Sequence, residues 1–426
     1  MYRPFLRLAV PVLAPFKAVR PPRDKAHLVA SRSYISYTKN ELSDKLNGNP
    51  FTFLHLINPE ASLGIKPTKN TRERFAWVKK RYEEWCAKGY LQADNQPGYY
   101  IYRQTQPSHE FTGILGCTSV MDYEDGKIKI HEHTLTEREQ VFVDYLEITG
   151  FHAEPVLLTY PDVDEIAQLI KRITSERAEF DFSTTDTVRH QLWPVFDTAL
   201  VQQIGAAFNS VDDFYIADGH HRSASSYRLA LAHKESNWDA SSPLNYFMSL
   251  VLPESEVHIE PFHRLVRDLN ELSPDGLIAA LRAHFEVVEV NQPLEAKPVR
   301  AHQFGMYLDK RWYTLDLKPE VVLPDDPVRH LDPDIISRFL LQPILGIGDL
   351  KTDPRIACIG GKDGHISIEK AIDSGDYRAG FWLFPTSMAE VKIIADQGLS
   401  MPPKSTWVEP KLRSGLTVYP FGHEPS

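Results

Sequence analysis

The spacing of apolar residues predicts a series of short helices and strands. Between residues 71 and 88, apolar side chains recur every three or four positions, which predicts one amphipathic helix. The residues of this stripe are Phe75, Val78, Tyr82 and Trp85. A short helix is expected over residues 39–46, and the apolar run 51–57 predicts a buried strand.

Extended patterns follow at residues 98–103, 111–119 and 127–130. The last two are expected to form a hairpin through Asp125-Gly126, a dipeptide that favours tight turns. Helical and extended segments then alternate up to a strand at 213–217. Alternation of this kind predicts a mixed α/β fold, or α+β where the strands pair antiparallel.

The C-terminal part continues with a helix at 274–284 and a hairpin formed by residues 304–308 and 312–317. A proline-containing acidic run after the hairpin is typical of a linker. We therefore expect two regions, 1–270 and 271–426. Each is long enough to bury a core of its own.

Composition and charge narrow the class of protein. Hydrophobic residues make up 42% and charged residues 24% of the 426 residues, which is typical of a globular protein. The net charge of -10 gives no broad basic field, so nucleic-acid binding is not expected. No apolar run reaches the length of a membrane span. The three cysteines form no CxxC pair, which fits a reducing cytoplasm.

The most distinctive chemistry lies where the strand 213–217 gives way to a helix. The residues of this junction are Asp218, Gly219, His220, His221 and Arg222. The start of a helix leaves backbone N–H groups unpaired, and the helix dipole adds partial positive charge. The glycine lets the backbone approach a ligand, and the arginine fork matches phosphate oxygens. The junction therefore predicts an anion site.

Each polar side chain of the junction has a candidate role. Asp218 can orient a histidine, bind Mg²⁺ or act as a base. His220 and His221 can donate hydrogen bonds or move protons near neutral pH. Two other interpretations are a plain tight turn with solvated histidines and a zinc site that adds His131 or His133. Adjacent histidines point apart in regular structure, which argues against the zinc site.

Two further segments carry candidate site residues. Glu132 follows the predicted strand 127–130 and can deprotonate a substrate hydroxyl; the alternative is an exposed ion-pair partner. A proline-braced segment near the C-terminus can clamp a phosphate or a carboxylate; the alternative is a solvated basic loop. Its candidate residues are Lys404, Ser405, Thr406, Lys411 and Arg413.

The Asp-Gly-His-His-Arg sequence after an apolar strand resembles the signature of the ParB/sulfiredoxin-like superfamily, whose members use it to hold nucleotide phosphates. One branch comprises the free serine kinases, and the whole chain resembles a large bacterial family of ParB-like proteins. The matching stretches are Gly48-Asn49-Pro50, Phe53-Leu54-His55, His131-Glu132 with Thr134, 218–222, 346–355 and 401–415. Where that family has an Arg-Pro-Tyr-Asp segment, this chain has Ser33 and Ile35 at the second and fourth positions.

The resemblance implies a ParB/sulfiredoxin-like nucleotide-binding core within residues 1–270, elaborated with extra sheets and helices, and a C-terminal region that contributes the basic loop. It implies a kinase that converts free L-serine to O-phospho-L-serine with ATP or ADP and Mg²⁺. In that mechanism Glu132 or Asp218 accepts the hydroxyl proton, Asp218 binds the metal, and His221 hydrogen-bonds the transferring group. Residues 219–222 hold the phosphates. A homodimer is among the expected assemblies.

Two alternatives from other classes remain open. A ParB-like switch would bind and hydrolyse CTP or ATP, but it would also need a basic DNA-binding domain. A metal-dependent hydrolase would use the histidines of the junction.

Overall fold

The computed structural model of the chain describes residues 10–60, 70–237, 242–361 and 363–422. The chain divides into two compact units. The first consists of Met1–Val257 and Pro410–Ser426, and the second of His258–Glu409. The C-terminal segment thus returns to the first unit. The expected division of function between residues 1–270 and 271–426 stays a prediction.

The first unit contains more strands and helices than the second. Its strands are β1 (Leu13–Ala14), β2 (Val19–Arg20), β3 (Gln92–Ala93), β4 (Tyr99–Thr105), β5 (Glu110–Ser119), β6 (Ile128–Lys129), β7 (Phe151–His152), β8 (Val156–Tyr160), β9 (Phe180–Ser183), β10 (Arg189–Val195), β11 (Phe214–Asp218) and β12 (Tyr246–Pro253). Its helices are α1 (Ala26–Val29), α2 (Lys39–Gly48), α3 (Leu54–Ile57), α4 (Arg72–Ala87), α5 (Val120–Glu124), α6 (Thr136–Thr149), α7 (Asp164–Thr174), α8 (Thr198–Ala207) and α9 (His220–Asn237).

Most of the first unit is built on one mixed sheet. Its strand order is β6-β11-β8-β12-β5-β4-β10-β9, and β1 pairs with β5. β6 runs parallel to β11, and β8 runs parallel to β12, whereas the other pairs are antiparallel. Apolar side chains such as Ile114, Leu158 and Phe214 bury one face of this sheet. The predicted mixed α+β fold class is confirmed.

The second unit has a sheet of its own. Its strands are β13 (His258–Glu260), β14 (Phe262–Val266), β15 (Phe285–Val290), β16 (Gln303–Leu308), β17 (Arg311–Leu317), β18 (Ile356–Gly360), β19 (Ala379–Trp382) and β20 (Trp407–Glu409). Its helices are α10 (Pro274–Leu281), α11 (Asp332–Ile336), α12 (Gly364–Asp373) and α13 (Met388–Asp396). Six strands pair in the order β15-β17-β16-β19-β14-β18. In the first unit, the returning strand β21 (Tyr419–Pro420) pairs with β7.

The buried strand predicted at residues 51–57 is wrong. This segment contains the helix α3, whose Leu54 and Leu56 side chains are buried. A short apolar run satisfies a buried strand and a buried helical turn equally well, because both can be covered on all sides. Packing against neighbouring elements therefore decided the conformation.

The predicted hairpin through Asp125-Gly126 is also wrong. The helix α5 intervenes after β5, and Gly126 adopts a φ of 72° just after that helix ends. A glycine in this conformation commonly terminates a helix, so the dipeptide fits both structures. β6 then pairs with β11 in parallel instead of returning along β5.

None of the helices within the described ranges combines the length and the hydropathy that a bilayer crossing requires.

Candidate functional site

Two neighbouring parallel strands bring the predicted acidic residues to one sheet edge. Ile128 of β6 pairs with Phe214 of β11, and both strands run in the same direction. The residues that follow two parallel strands leave the sheet at the same edge, where the carboxyl ends of the strands lie. As a result, a carboxylate oxygen of Glu132 lies 4.0 Å from Nδ1 of His220. Both residues were predicted from the sequence as site residues, but no sequence motif indicated that they lie close together.

The junction after β11 depends on Gly219. This residue has a φ of 107°, which side-chain-bearing residues rarely adopt. A Cβ atom here would also lie 3.0 Å from Nε and Nη2 of Arg222. The glycine therefore allows the guanidinium to fold back over the turn.

Arg222 contacts two carboxylates. Its Nη1 lies 2.7 Å from a carboxylate oxygen of Glu154, and its Nη2 lies 2.8 Å from Oδ2 of Asp218. Burial lowers the pKa of Arg222, but these two carboxylates outweigh it and the pKa is raised. The arginine charge is compensated inside the turn. Its expected role as a phosphate ligand stays a prediction.

Glu154 is a residue of this site that the sequence interpretation missed. It lies between β7 and β8, and β8 is the antiparallel neighbour of β11. The sequence offers only a weak indication of this role, because Glu154 simply precedes Pro155 and a buried strand. The sheet topology brings Glu154 to Arg222.

Two histidines of the site are buried and neutral. The rings of His131 and His220 pack edge to face with centroids 4.4 Å apart. Nε2 of His220 accepts a hydrogen bond from the backbone N–H of His131 at 3.5 Å. Burial lowers the pKa of His131 to about 4 and that of His220 below its usual value. Both imidazoles are therefore neutral at pH 7.

His221 occupies the first turn of α9. Its backbone carbonyl accepts a hydrogen bond from the Ser225 hydroxyl at 2.6 Å. Burial raises the pKa of nearby Glu139, but hydrogen bonds with Thr134 and Arg228 bring it below its usual value.

The predicted basic segment is divided between the two units. In the first unit, Nζ of Lys411 lies 3.9 Å from Oδ1 of Asp218. Arg413 contacts a different group, because its Nη2 lies 2.7 Å from a carboxylate oxygen of Asp186. Burial acts to raise the Asp186 pKa, but the hydrogen bonds with Thr184 and Arg413 outweigh burial. The net result is a pKa lowered to about 2.

The other three residues of the segment belong to the second unit. Nζ of Lys404 lies 5.0 Å from the centre of the Phe262 ring. The Ser405 hydroxyl donates a hydrogen bond to the Pro402 carbonyl at 2.7 Å. Thr406 precedes β20. Their predicted role in phosphate or substrate binding stays a prediction.

The donor set of the site suits Mg²⁺ better than zinc. Across the described ranges, no three or more His, Cys, Asp or Glu side chains are grouped to hold an ion. Mg²⁺ binds with one or two carboxylates, waters and substrate phosphates, whereas structural and catalytic zinc use three or four protein ligands. Asp218, whose side chain is 47% exposed, fits the magnesium pattern.

We expect the substitution Arg222→Met to lower the free energy of unfolding by about 2 kcal/mol. It leaves Glu154 and Asp218 without their shared cation; the cost stays below that of a fully buried pair because Asp218 is partly exposed. Urea unfolding at pH 7 measures the change. The matched control is Arg189→Met, which removes an exposed partner of Asp181 and should cost about 0.5 kcal/mol or less. Equal losses in both variants would contradict the structural role of Arg222.

Comparisons with known proteins yielded one family and several solved structures. The family model described as "Protein of unknown function (DUF1015)" matches residues 13–334. Among curated proteins there is no match. A mutant free serine kinase in complex with AMP is 14% identical and has a TM-score of 0.38; the alignment covers 71% of this chain and 91% of the kinase.

Two further solved structures are similar at the same level. A conserved hypothetical protein from Pyrococcus furiosus is 14% identical with a TM-score of 0.36, and the alignment covers 72% of this chain and 95% of that protein. C-terminally truncated SbnI from Staphylococcus aureus is 11% identical with a TM-score of 0.37, and the alignment covers 72% of this chain and 87% of SbnI.

Proposed function

The chain belongs to the DUF1015 family, and we propose that it is a nucleotide-dependent phosphotransferase that acts on a small hydroxyl substrate. The observation that carries this proposal is the approach of the Glu132 carboxylate to His220, the first residue of α9, two positions after Asp218 ends β11. A base beside a helix N-terminus supplies the two elements that phosphoryl transfer requires of a protein: orientation of the hydroxyl and stabilisation of the phosphates.

Glu132 is the proposed general base. Its side chain is 49% exposed, so a substrate can reach it, and its carboxylate faces His220. The neutral imidazole beside it adds no charge that would weaken its basicity. Asp218 is another carboxylate of the site and the proposed metal ligand.

The phosphates are proposed to bind at the first turn of α9. Backbone N–H groups at its start and the helix dipole favour an anion. His220, His221 and Arg222 line this turn. Lys411, near Asp218, adds a cation that can contact the nucleotide or the substrate.

Mg²⁺ would be held by Asp218 together with phosphate oxygens, and when bound it would neutralise part of the phosphate charge. The chain's own residues retain the remaining tasks. Glu132 accepts the proton, and the helix start orients the nucleotide.

The finer assignment is a free L-serine kinase that uses ATP or ADP and forms O-phospho-L-serine. Its support is the resemblance of residues 218–222 to the motif of the serine kinase branch. Lys404, Ser405, Thr406 and Arg413 remain proposed ligands for phosphate or for the serine carboxylate. The second candidate class is a CTP-binding or ATP-binding switch.

The test is direct. The protein is incubated with ATP or ADP, Mg²⁺ and a panel of amino acids, and O-phosphoserine is sought by mass spectrometry. We expect product with serine, and a loss of at least about a hundredfold in the Asp218→Asn variant. Asp212→Asn, an exposed aspartate before β11, is the matched control. Absence of product with either donor, together with tight CTP binding, would replace the kinase proposal with the switch.

A further inference from the structure

The second unit contains a strand–loop–helix connection at one edge of its six-stranded sheet. β18 and β19 both pair antiparallel with β14, so they run in the same direction, and α12 connects them along the chain. α12 therefore starts at the edge where both strands have their carboxyl ends, which is where ligands bind to sheets with such connections. β18 ends at Gly360 and β19 ends at Trp382, so both residues belong to this edge.

The first turn of α12 has unpaired backbone donors. The Ser367 N–H donates to the Asp363 carbonyl at 3.1 Å, which is the hydrogen bond that opens the helix. The N–H groups of Gly364, His365 and Ile366 have no partner among the described residues. Asp363 occupies the N-cap position, but its side chain makes no capping hydrogen bond. Three donors and the positive end of the helix dipole are therefore available to an anion.

Two buried rings bring further polar atoms to this helix start. A Cβ atom on Gly364 would lie 2.6 Å from Nε2 of His263 and 2.9 Å from Nε1 of Trp382, so both rings contact the glycine. His263 is 1% exposed and Trp382 is 4% exposed. The Trp382 indole N–H can only donate, and it makes no hydrogen bond with a described residue. The indole is therefore a fourth donor without an acceptor.

His263 supplies an acceptor at the same place. Its Nε2 donates to the Gly361 carbonyl at 2.9 Å. Burial lowers the pKa of His263 to about 4, so at pH 7 the ring is neutral and its Nδ1 carries no proton. The Nε2–Cε1 edge of the ring faces Gly364, and Nδ1, the next atom along that edge, is buried without a partner. The helix start thus combines several donors with one acceptor.

We propose that the start of α12 is a phosphate site, which binds inorganic phosphate or a phosphate monoester in the form that keeps one P–OH group. The phosphate oxygens accept hydrogen bonds from the N–H groups of the first turn and from the Trp382 indole. The P–OH group donates to Nδ1 of His263. Sulfate has the same shape but carries no proton at pH 7, so its oxygen would face the His263 lone pair without a hydrogen between them. The site therefore prefers phosphate.

The indole signals of the seven tryptophans report binding directly by nuclear magnetic resonance. The full chain, carrying isotope-labelled tryptophan, is titrated at pH 7 with inorganic phosphate and separately with O-phospho-L-serine. The Trp382 signal is identified by its loss in Trp382→Phe, or by nuclear Overhauser contacts with the His365 ring, which stacks on the indole with centroids 5.4 Å apart. We expect this signal to shift and saturate with a dissociation constant of about 1 mM for the ligand that binds more tightly.

The two titrations also distinguish the source of the phosphate group, because the tighter ligand is either the free ion or the monoester. Trp312 is the matched control, since its indole N–H already donates to Glu369 of α12 at 2.8 Å. Its signal should stay in place. A Trp382 signal that does not shift with either ligand would overturn the proposal.

Sulfate tests the acceptor at His263. We expect sulfate to bind at least about tenfold more weakly than the tighter phosphate ligand, because a site built to accept a hydrogen bond rejects the analogue that lacks the donor. Equal affinities for sulfate and phosphate would overturn the assignment of the site to phosphate.

A pair of variants at Ile366 tests the backbone donors. Its side chain is 56% exposed, and proline is tolerated in the first turn of a helix. Ile366→Pro removes one N–H and should weaken phosphate binding about tenfold, whereas Ile366→Ala keeps the N–H and should stay within about twofold. Equal binding by the two variants would contradict the site. If the proline variant fails to fold, the titrations of the original protein decide the matter. None of these outcomes depends on the phosphotransferase assay.

Discussion

The substitution Glu132→Gln is expected to slow the formation of O-phosphoserine by about a thousandfold, within the range that loss of a general base produces. Glutamine keeps the size and polarity of the side chain but cannot accept the hydroxyl proton. Its position beside His220 would be retained, since an amide can make the same contact. Nucleotide affinity, which depends on the start of α9, should stay within about twofold of the original value. Initial rates by mass spectrometry and calorimetric titration of the nucleotide measure the two quantities.

The matched control for this experiment is Glu137→Gln. Glu137 is exposed in the first turn of α6, five residues further along the chain. Its removal should leave the rate within about twofold, because no proposed step uses it. If Glu132→Gln kept more than a tenth of the activity, the base would have to be sought elsewhere, and Asp218 would be the next carboxylate to test.

This expectation depends on a strand pairing that the sequence did not reveal. The junction at 218–222 was predicted from local signals, and the strand before it and the helix after it are confirmed. Local signals cannot report which strand lies beside β11. The pairing of Ile128 with Phe214 joins segments far apart in the sequence, and only this pairing brings Glu132 to the same sheet edge.

The charge on Arg222 shows a second limit of sequence interpretation. An arginine at a helix start fits phosphate by its own geometry, and nothing in the neighbouring residues indicates that Glu154 approaches it. Lys411 and Arg413 are two residues apart, yet one lies near Asp218 and the other contacts Asp186. Residue types predicted the chemistry that is available at this site. The tertiary structure determined which charges are already compensated.

Acidification below pH 6.5 is expected to destabilise the fold through its buried histidines. Burial lowers the pKa of His131 and His263 to about 4 and that of His152 and His190 to about 3. In the unfolded chain these groups bind protons near pH 6.5. Between the two values the unfolded state binds more protons, so stability that is present at pH 7 is lost as the pH falls. For His131 alone the full loss is about 3 kcal/mol, reached near pH 4.

A comparison of variants isolates the contribution of His131. Urea unfolding, followed by tryptophan fluorescence, is measured at pH 6.5 and pH 5 for the original protein and for His131→Gln. Glutamine does not titrate, so the variant should lose about 2 kcal/mol less over this interval than the original protein. His27→Gln, at an exposed position, should lose as much as the original protein. Equal losses in the original protein and in His131→Gln would mean that His131 takes up its proton in the folded state as readily as in the unfolded chain. His220, which packs edge to face against His131, would then lie beside a cation rather than a neutral ring.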